Sequence, residues 1–529
     1  VTTILTNEPL ELRADVLVIG GGPAGTWAAW SAASRGASVV LADKGFCGSS
    51  GATAPSGTGV WVIPPGGDAR AEAKAKREAL GGYLADHDWM DRVLDRTWRN
   101  MDLIESWGYP FPHDGGATVR RGLQGPEYMR LMRNVVAKAG VKILDQSPAL
   151  ELLVDGNGTV AGARGIRRQE ERPWTVRAGA VVIATGGCAF LSKALGTNTN
   201  TGDGLLFAAE AGGEFSGMEF SSQFAVSTAY GSVTKTAHYS WAVFTNEAGE
   251  DLEAVKDGHY SASTIGRALL NGPVYAQLSK AKDRPEVQAF LRYAQPNFFL
   301  PLDRNGIDPF KQRFPITLTL EGTVRGTGGI RLTDGRCAST VPGLFAAGDA
   351  ATRELICGGF TGGGSHNAAW AMSSGSWAGE GAADYAIGLG AYAHARDVTG
   401  AGGAGLRAPS DARTRFDPDA VIAGVQDEMF PLQKNLFRTE HGLRGAIGNL
   451  DGLWQSVGGR AIATESARDV QRAREAAALV ATARWAYASA LERRETRGMH
   501  RRADHPQIDP AQHHYQHSGG LDRVWVRAG

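Results

Sequence analysis

An α/β fold built on a parallel sheet, with a second unit inserted into it and helices at the C-terminal end, is predicted by three observations. A β-branched run, Asp15 to Ile19, breaks into a glycine turn and continues as an Ala- and Trp-rich helix. A second apolar run, Ala180 to Ile183, also stops on paired glycines, Gly186 and Gly187. The same pattern resumes at Gly328–Gly329–Ile330 and through 343–349, after a stretch of weaker, aromatic-rich periodicity from Phe220 to Thr323. At 529 residues the chain is two to four times a typical domain, so more than one folded unit is expected.

Composition narrows the function classes. The 55 basic residues balance the 55 acidic ones, which is not the excess expected of a nucleic-acid-binding protein. No stretch approaches the ~18 uninterrupted apolar residues of a membrane span. Residues Val1 to Asp15 contain Glu8, Glu11, Arg13 and Asp15 and no apolar run of signal-peptide length, so a cytoplasmic location is expected. The four cysteines, Cys47, Cys188, Cys337 and Cys357, are too scattered for a disulfide framework or a metal site, and any iron–sulfur cluster must sit on another chain. The 71 glycines are roughly twice the ~7% background and imply many close backbone approaches, as around a bound cofactor.

Taken in order, the first strand ends in Gly20–Gly21–Gly22–Pro23–Ala24–Gly25, which matches GxGxxG, and Thr26 to Ser34 reads as a helix stopped by Gly36. Ser38 to Leu41 is a second strand closed by Asp43, 18 residues beyond Gly25, the spacing of an acid that reaches a ribose. A lone GxGxxG is weak in so glycine-rich a chain; strand, turn, helix, strand and acid in the required order within about 30 residues are strong. Gly20 permits the turn, Gly22 admits a pyrophosphate to the backbone, Gly25 lets helix and strand pack closely, and the helix N-terminus faces the phosphates with free amides.

Helices are predicted over Arg70–Leu80, Asp88–Trp107 and Gly125–Gly140. Strands follow at Val141–Leu144, Leu150–Val154, Val160–Arg167 and Trp174–Val176, around the turn Asp155–Gly158, before the apolar strand at Ala180. A Gly/Ala-rich linker is read at Thr399–Gly405, helices from Asp417 to Arg497, and an extended tail after Pro506. The arginines between Arg472 and Arg494 read as a solvated helix face.

Several words occur together in one order: the dinucleotide fingerprint, REALGGYLADHDWMDRVLDRTWRNMDLIESWGYPF, ATGG at 184–187, TGDG at 201–204, GLFAAGD at 343–349 and ETRGMHRRADHP at 495–506. Colinear over nearly the whole chain, they make it resemble the succinate dehydrogenase/fumarate reductase flavoprotein family. The resemblance implies a Rossmann-type FAD-binding domain in two parts (1–219 and 324–400), an inserted α+β capping domain (220–323) and a C-terminal helical domain with tail (401–529). It places substrate between cap and flavin. Carried over by position, the implied FAD contacts are Gly20, Gly22 and Gly25 at the pyrophosphate, Asp43 at the ribose, and Ser49, Ser50, Gly51 and Thr53 along the flavin, with Lys44 also cofactor-binding. Ala184 and Gly186 fall at the nucleotide, Asp203 and Asp349 at the family's acidic positions, and Ser373–Ser374 at the opening of a helix aimed at the isoalloxazine. Some members attach FAD through a histidine in an SHT word; the matching Ser50–Gly51–Ala52 has none, so non-covalent FAD is expected.

The family's dicarboxylate residues are largely missing. Met218–Val226 has no histidine where an EMWQFHP-like word has one, and Val324–Gly329 has none where HYTxGG does. Arg267 lies several residues late for the proton-donating arginine of a PRDxVS-like word, and Gly364–Ser365–His366–Asn367 puts His366 or Asn367 at the arginine of HGANR. Ser373–Trp377 and His238–Ala242 look similar instead to the alpha subunit of adenylylsulfate reductase, a sister branch.

The catalytic candidates are therefore His366, as acid/base, anion binder or backbone cap; Arg325, as anion clamp, FAD contact or surface residue; Trp241 and His238, as substrate wall or core; and Asn367. Arg353 lies at the mouth of the same loop, whereas Arg497 and His500 read as residues that order the C-terminal domain, and Cys188 and Cys357 as buried apolar groups. The expected activity is hydride transfer between flavin N5 and a carbon of a small anionic substrate that is not a typical dicarboxylate. A redox-neutral hydratase or lyase using reduced flavin, and an electron-transfer subunit of a larger complex, are the alternatives. The acceptor (oxygen, or a separate partner), the substrate and a homo-oligomeric state are left open.

Overall fold

The computed structural model describes residues 8–234, 237–253, 260–362, 365–407, 416–458 and 466–529. Residues 1–7 and Gly364, both used in the sequence reading, lie outside them, as does 459–465 within the expected C-terminal helices.

The main sheet has eight strands. Along it run Val398–Gly400, Ala149–Asp155, Val160–Arg167, Arg172–Ile183, Leu10–Ile19, Val39–Ala42 and Lys142–Leu144, and Leu344–Ala346 pairs with Arg172–Ile183 off that path. The first strand is longer than expected: it starts at Leu10 and pairs in parallel with Arg172–Ile183 over most of its length. Its burial becomes continuous from Val16 onward, where parallel neighbours flank both edges.

The two segments read as separate strands, Trp174–Val176 and Ala180–Ile183, form one strand. Arg172 to Arg177 pair antiparallel with Val160–Arg167, and Val181 to Ile183 pair parallel with Leu344–Ala346. One strand must be continuous to hold both partners. Ala178–Gly179–Ala180 mark the hand-over, where a Cβ on Gly179 would come within 2.6 Å of Ala386 in the crossing helix Ser365–Leu389.

That 25-residue helix packs on the glycine-turn helix Pro23–Ser34. The approach is close because Gly375 and Gly379 lie against the backbone of Ala24 and Ala28, where any side chain would overlap carbonyl oxygens. The remaining early helices run Ala69–Leu80, His87–Ser106 and Gly125–Lys138, within a residue or two of expectation.

The cap carries a four-stranded antiparallel sheet in the order Phe224–Thr228, Phe314–Leu320, Val274–Gln277, Val243–Thr245. Helices Ala262–Asn271, Pro285–Ala294 and Pro296–Arg304 accompany it. At the C-terminal end, Pro418–Met429, Glu440–Gly458 and Ala467–Glu492 pack together. The tail returns to the body: Gln516–Gly519 pairs with Phe215–Ser216 and Trp525–Ala528.

The arginine-rich helix differs from its reading as a solvated face. Ala467–Glu492 is buried along most of its length, with Arg474 ion-paired to Glu210 at 2.5 Å and Arg484 to Asp451 at 2.6 Å. Its alanines leave room for neighbours on every side, so Arg474 and Arg484 reach acids on other elements, while Arg468 and Arg472 near its start stay in contact with water. Among the described residues, no helix is long and apolar enough to cross a membrane.

Candidate active site

A cavity of about 680 Å³ runs from the glycine turn to the cap. This lies within the ~300–1,000 Å³ of ligand and cofactor sites. At one end Gly20, with φ +111°, turns the chain out of the first strand, and its amide donates to Ala42 at 2.8 Å. Gly22 is the helix N-cap, and a Cβ placed on it would meet no protein atom within 4 Å, because the space beside it is cavity. Gly25 is the reverse case: it does not line the cavity, and a Cβ there would fall onto the carbonyl oxygen of Gly20. The free amides of the helix start and the bare backbone at Gly22 fit a pyrophosphate.

Asp43 lines the cavity at the end of the second strand, accepting from the amides of Gly21 and Gly45. Burial pushes its carboxyl upward, and those two amides oppose the shift. Beside it Lys44 donates to Thr201 Oγ1 and Asp203 Oδ2 at 2.7 Å each and pairs with Glu475 at 2.7 Å. Burial disfavours its ammonium, but the two carboxylates outweigh that and hold its pKa above the usual lysine value. Asn200, also lining the cavity, has a buried amide oxygen with no partner among the described residues, as an acceptor awaiting a ligand donor would. Ala184, Gly186, Ser50, Gly51 and Thr53 line the cavity too, so the residues present fit FAD. Ser49 does not; it is exposed, its amide donating to the Phe46 carbonyl at 3.0 Å.

Ser373 and Ser374 do not open a helix. The helix begins eight residues earlier, at Ser365, and both serines are fully buried inside it. Ser374 accepts from the Gly348 amide at 3.0 Å, and Ser373 lies 3.2 Å from the Thr97 hydroxyl. The helix is apolar nearly all round, so no periodicity marked its start. Asn367, Ala368 and Ala371 are the residues it presents to the cavity.

Asn367 donates to the Val324 carbonyl at 3.2 Å and accepts from Thr361 Oγ1 at 2.6 Å. His366, about 100° earlier on the helix, is not brought to the cavity; its ring lies 4.7 Å from that of Trp61. Arg325 lines the cavity, donating to Glu321 Oε2 at 3.0 Å and the Gly362 carbonyl at 3.2 Å. Asp349 lines it as well and is paired with the buried Arg353, which also donates to the Gly326 carbonyl. Arg267 is elsewhere, over the Phe437 ring.

From the cap, His238 and Trp241 stand on one short turn, His238–Trp241. The His238 Nε2 lies 3.0 Å from the Leu291 carbonyl, and because a carbonyl only accepts, that nitrogen carries the proton. Burial lowers its pKa, partly offset by this bond, so the ring is neutral near pH 7. Arg284 covers Trp241 at 5.2 Å. Residues not foreseen are Tyr128, Thr199, Asn200, Phe290 and Gln295 at the wall, and Glu321 behind Arg325. Only Asn200 carried a signal, standing immediately before the TGDG word.

The glycine turn, its acid, the covering cap and the cavity between them define an FAD-dependent oxidoreductase. Residues 15–368 match the family described as FAD binding domain, and 429–520 the one described as fumarate reductase flavoprotein C-term. The chain therefore belongs to the FAD-binding flavoprotein family of succinate dehydrogenase and fumarate reductase. It is 27% identical over 534 aligned residues to the L-aspartate oxidase of Mycobacterium tuberculosis, covering 94% of each chain. It is 28% identical to that organism's fumarate reductase flavoprotein subunit over 70% of each. The L-aspartate oxidase of Streptomyces coelicolor matches at 26% over 64% of this chain and 63% of its own length. Among solved structures, E. coli quinol fumarate reductase superposes with TM-score 0.79 at 21% identity, covering 98% of this chain and 97% of its own. Adenylylsulfate reductase of Archaeoglobus fulgidus gives 0.78 at 18%, covering 99% and 97%.

Proposed function

We propose that the protein binds FAD non-covalently and exchanges a hydride with a carbon of a small organic substrate that carries one anionic group, not the two of a typical dicarboxylate. The observation that carries this reading is the count of available cations. Among the described residues lining the cavity, Lys44 and Arg325 are the arginines and lysines, and Lys44 is held by Asp203 and Glu475. Arg325 remains, already sharing its charge with the fully buried Glu321. A dianion needs several fixed donors, and neutral His238 adds no charge.

FAD, when bound, supplies the redox chemistry. The chain's part is to hold the substrate and keep water out. Gly20, Gly22 and Asp43 would hold the nucleotide half, and Gly51, Thr53 and Ala368 would line the other. Arg325 anchors the substrate anion, oriented by Glu321 and the Gly362 carbonyl. Asn367 fixes the adjoining loop through Val324 and Thr361, and the cap wall at Trp241 shields the reacting carbon.

The test is acid precipitation followed by anaerobic redox titration. FAD is expected in the supernatant; fumarate is expected not to reoxidise the reduced protein, nor L-aspartate to reduce the oxidised one. Rapid reaction with either would overturn the monoanion reading, and flavin retained in the pellet would overturn the non-covalent one.

A further inference from the structure

The cap side of the cavity has a composition that anion binding alone does not require. Its wall is made by Trp241, Phe290, Leu291 and Ala294, with Gln295 beside them. Glu321 locates this wall: it accepts from Thr234 of the cap at 2.8 Å and from Arg325 at 3.0 Å, so the cap segment leading to Trp241 and the anion anchor meet on one carboxylate. The two cap segments are tied to each other by the His238 contact to the Leu291 carbonyl. Arg284 over Trp241 fixes that ring.

Two features of the wall point to a ligand. Phe290 is 65% exposed although it lines the cavity, an aromatic face left in water that a ring packed on it would cover. Gln295, which also lines the cavity, has a buried side-chain nitrogen that finds no acceptor among the described residues, a donor that a substrate oxygen would satisfy.

We propose that this lobe is a subsite for a flat apolar substrate body: a cyclic or aromatic monocarboxylate whose ring packs on Trp241 and Phe290. Its carboxylate reaches Arg325, and a ring hydroxyl or carbonyl oxygen accepts from Gln295 Nε2. The proposal rests on the monoanion reading above and adds the shape of the carbon skeleton. Trp241, Phe290 and Gln295 are then specificity residues.

The experiment is calorimetric titration of the FAD-loaded protein with acetate, succinate, benzoate and 3- and 4-hydroxybenzoate. Benzoate is expected to bind about tenfold or more tightly than acetate or succinate, the equivalent of one well-buried ring face. Trp241→Ala and Phe290→Ala are each expected to weaken benzoate about fivefold and leave acetate unchanged, with FAD content intact. At least one hydroxybenzoate is expected to exceed benzoate, a preference that Gln295→Leu abolishes. Benzoate no tighter than acetate, or variants that weaken both alike, would overturn the subsite; no hydroxyl preference would remove Gln295 from it. If acetate and benzoate tie but both exceed succinate, the aromatic subsite falls and the monoanion reading stands. If succinate binds tightest, both fall.

Discussion

Lys44, just past the second strand, and Glu475, in the last long helix, form an ion pair at 2.7 Å across almost the whole sequence. Asp203 completes the cluster from the first turn of a third element, Asp203–Glu210. All three side chains are at most 14% exposed. Removing the cation would leave the largely buried Asp203 without a countercharge and Glu475 with only Arg472 at 3.5 Å, which costs about 3–5 kcal/mol. Lys44→Met is expected to lower the melting temperature strongly and lose FAD on gel filtration, whereas Glu475→Gln, which leaves Lys44 with Asp203, should do less of both. Thermal melts with flavin quantification check the order.

Gly22 and Gly25 stand three residues apart in one turn and predict opposite phenotypes. Gly22→Ala meets no protein atom, so the apoprotein is expected to melt normally while FAD affinity falls at least tenfold, the new methyl occupying pyrophosphate space. Gly25→Ala collides with the Gly20 backbone and is expected to fail to fold or to melt far lower. Normal FAD binding by Gly22→Ala would show that the phosphates sit elsewhere.

The buried Glu354 lies near Glu219 and accepts from Ser216. Burial, with Glu219 as a second cause, pushes its carboxyl up to about 8. The folded protein therefore binds a proton that the unfolded chain releases near 4.5. The stability this contributes is full below that value and is lost as pH rises through about 8. Glu354→Gln, which is neutral throughout, is expected to melt progressively higher relative to the parent between pH 5 and pH 9. A difference independent of pH would show that Glu354 is ionised in the folded protein.

The anchoring role proposed for Arg325 and its pairing with Glu321 are separated by a double substitution. Arg325→Ala is expected to reduce kcat/KM by roughly tenfold to a hundredfold, the equivalent of one charge-assisted hydrogen bond. It also leaves the buried Glu321 without its countercharge, only the Thr234 hydroxyl remaining on it, with a drop in melting temperature. Adding Glu321→Gln is expected to restore stability and not kcat/KM. Recovery of both would assign Arg325 a purely structural role.

The nucleotide end of the cavity was legible because it is local: Gly20, Gly22, Gly25 and Asp43 fall within one strand–turn–helix–strand unit, where spacing alone determines geometry. The cap end was not, because it is assembled from separate segments, Val324–Arg325, Asn367–Ala371, His238–Trp241 and 290–295. His366 and Asn367 are neighbours in sequence, yet one helical step turns the first to Trp61 and the second to the cavity. The starting point of Ser365–Leu389 was hidden because a helix buried on every face has no polar stripe to phase. The same loss of phase disguised Ala467–Glu492, whose arginines mimic a wet surface although the charges of Arg474 and Arg484 are met by acids of other elements.

Glu475 also imposes an order of events on biosynthesis. The glycine turn, Asp43 and Asp203 leave the ribosome long before the helix that bears Glu475. A nascent chain thus exposes a dinucleotide seat whose lysine has one carboxylate instead of two and no C-terminal helix behind it. Firm cofactor capture is therefore expected only once the helix bearing Glu475 has been made, and truncation ahead of residue 475 should yield a flavin-poor protein even though every glycine of the turn is present.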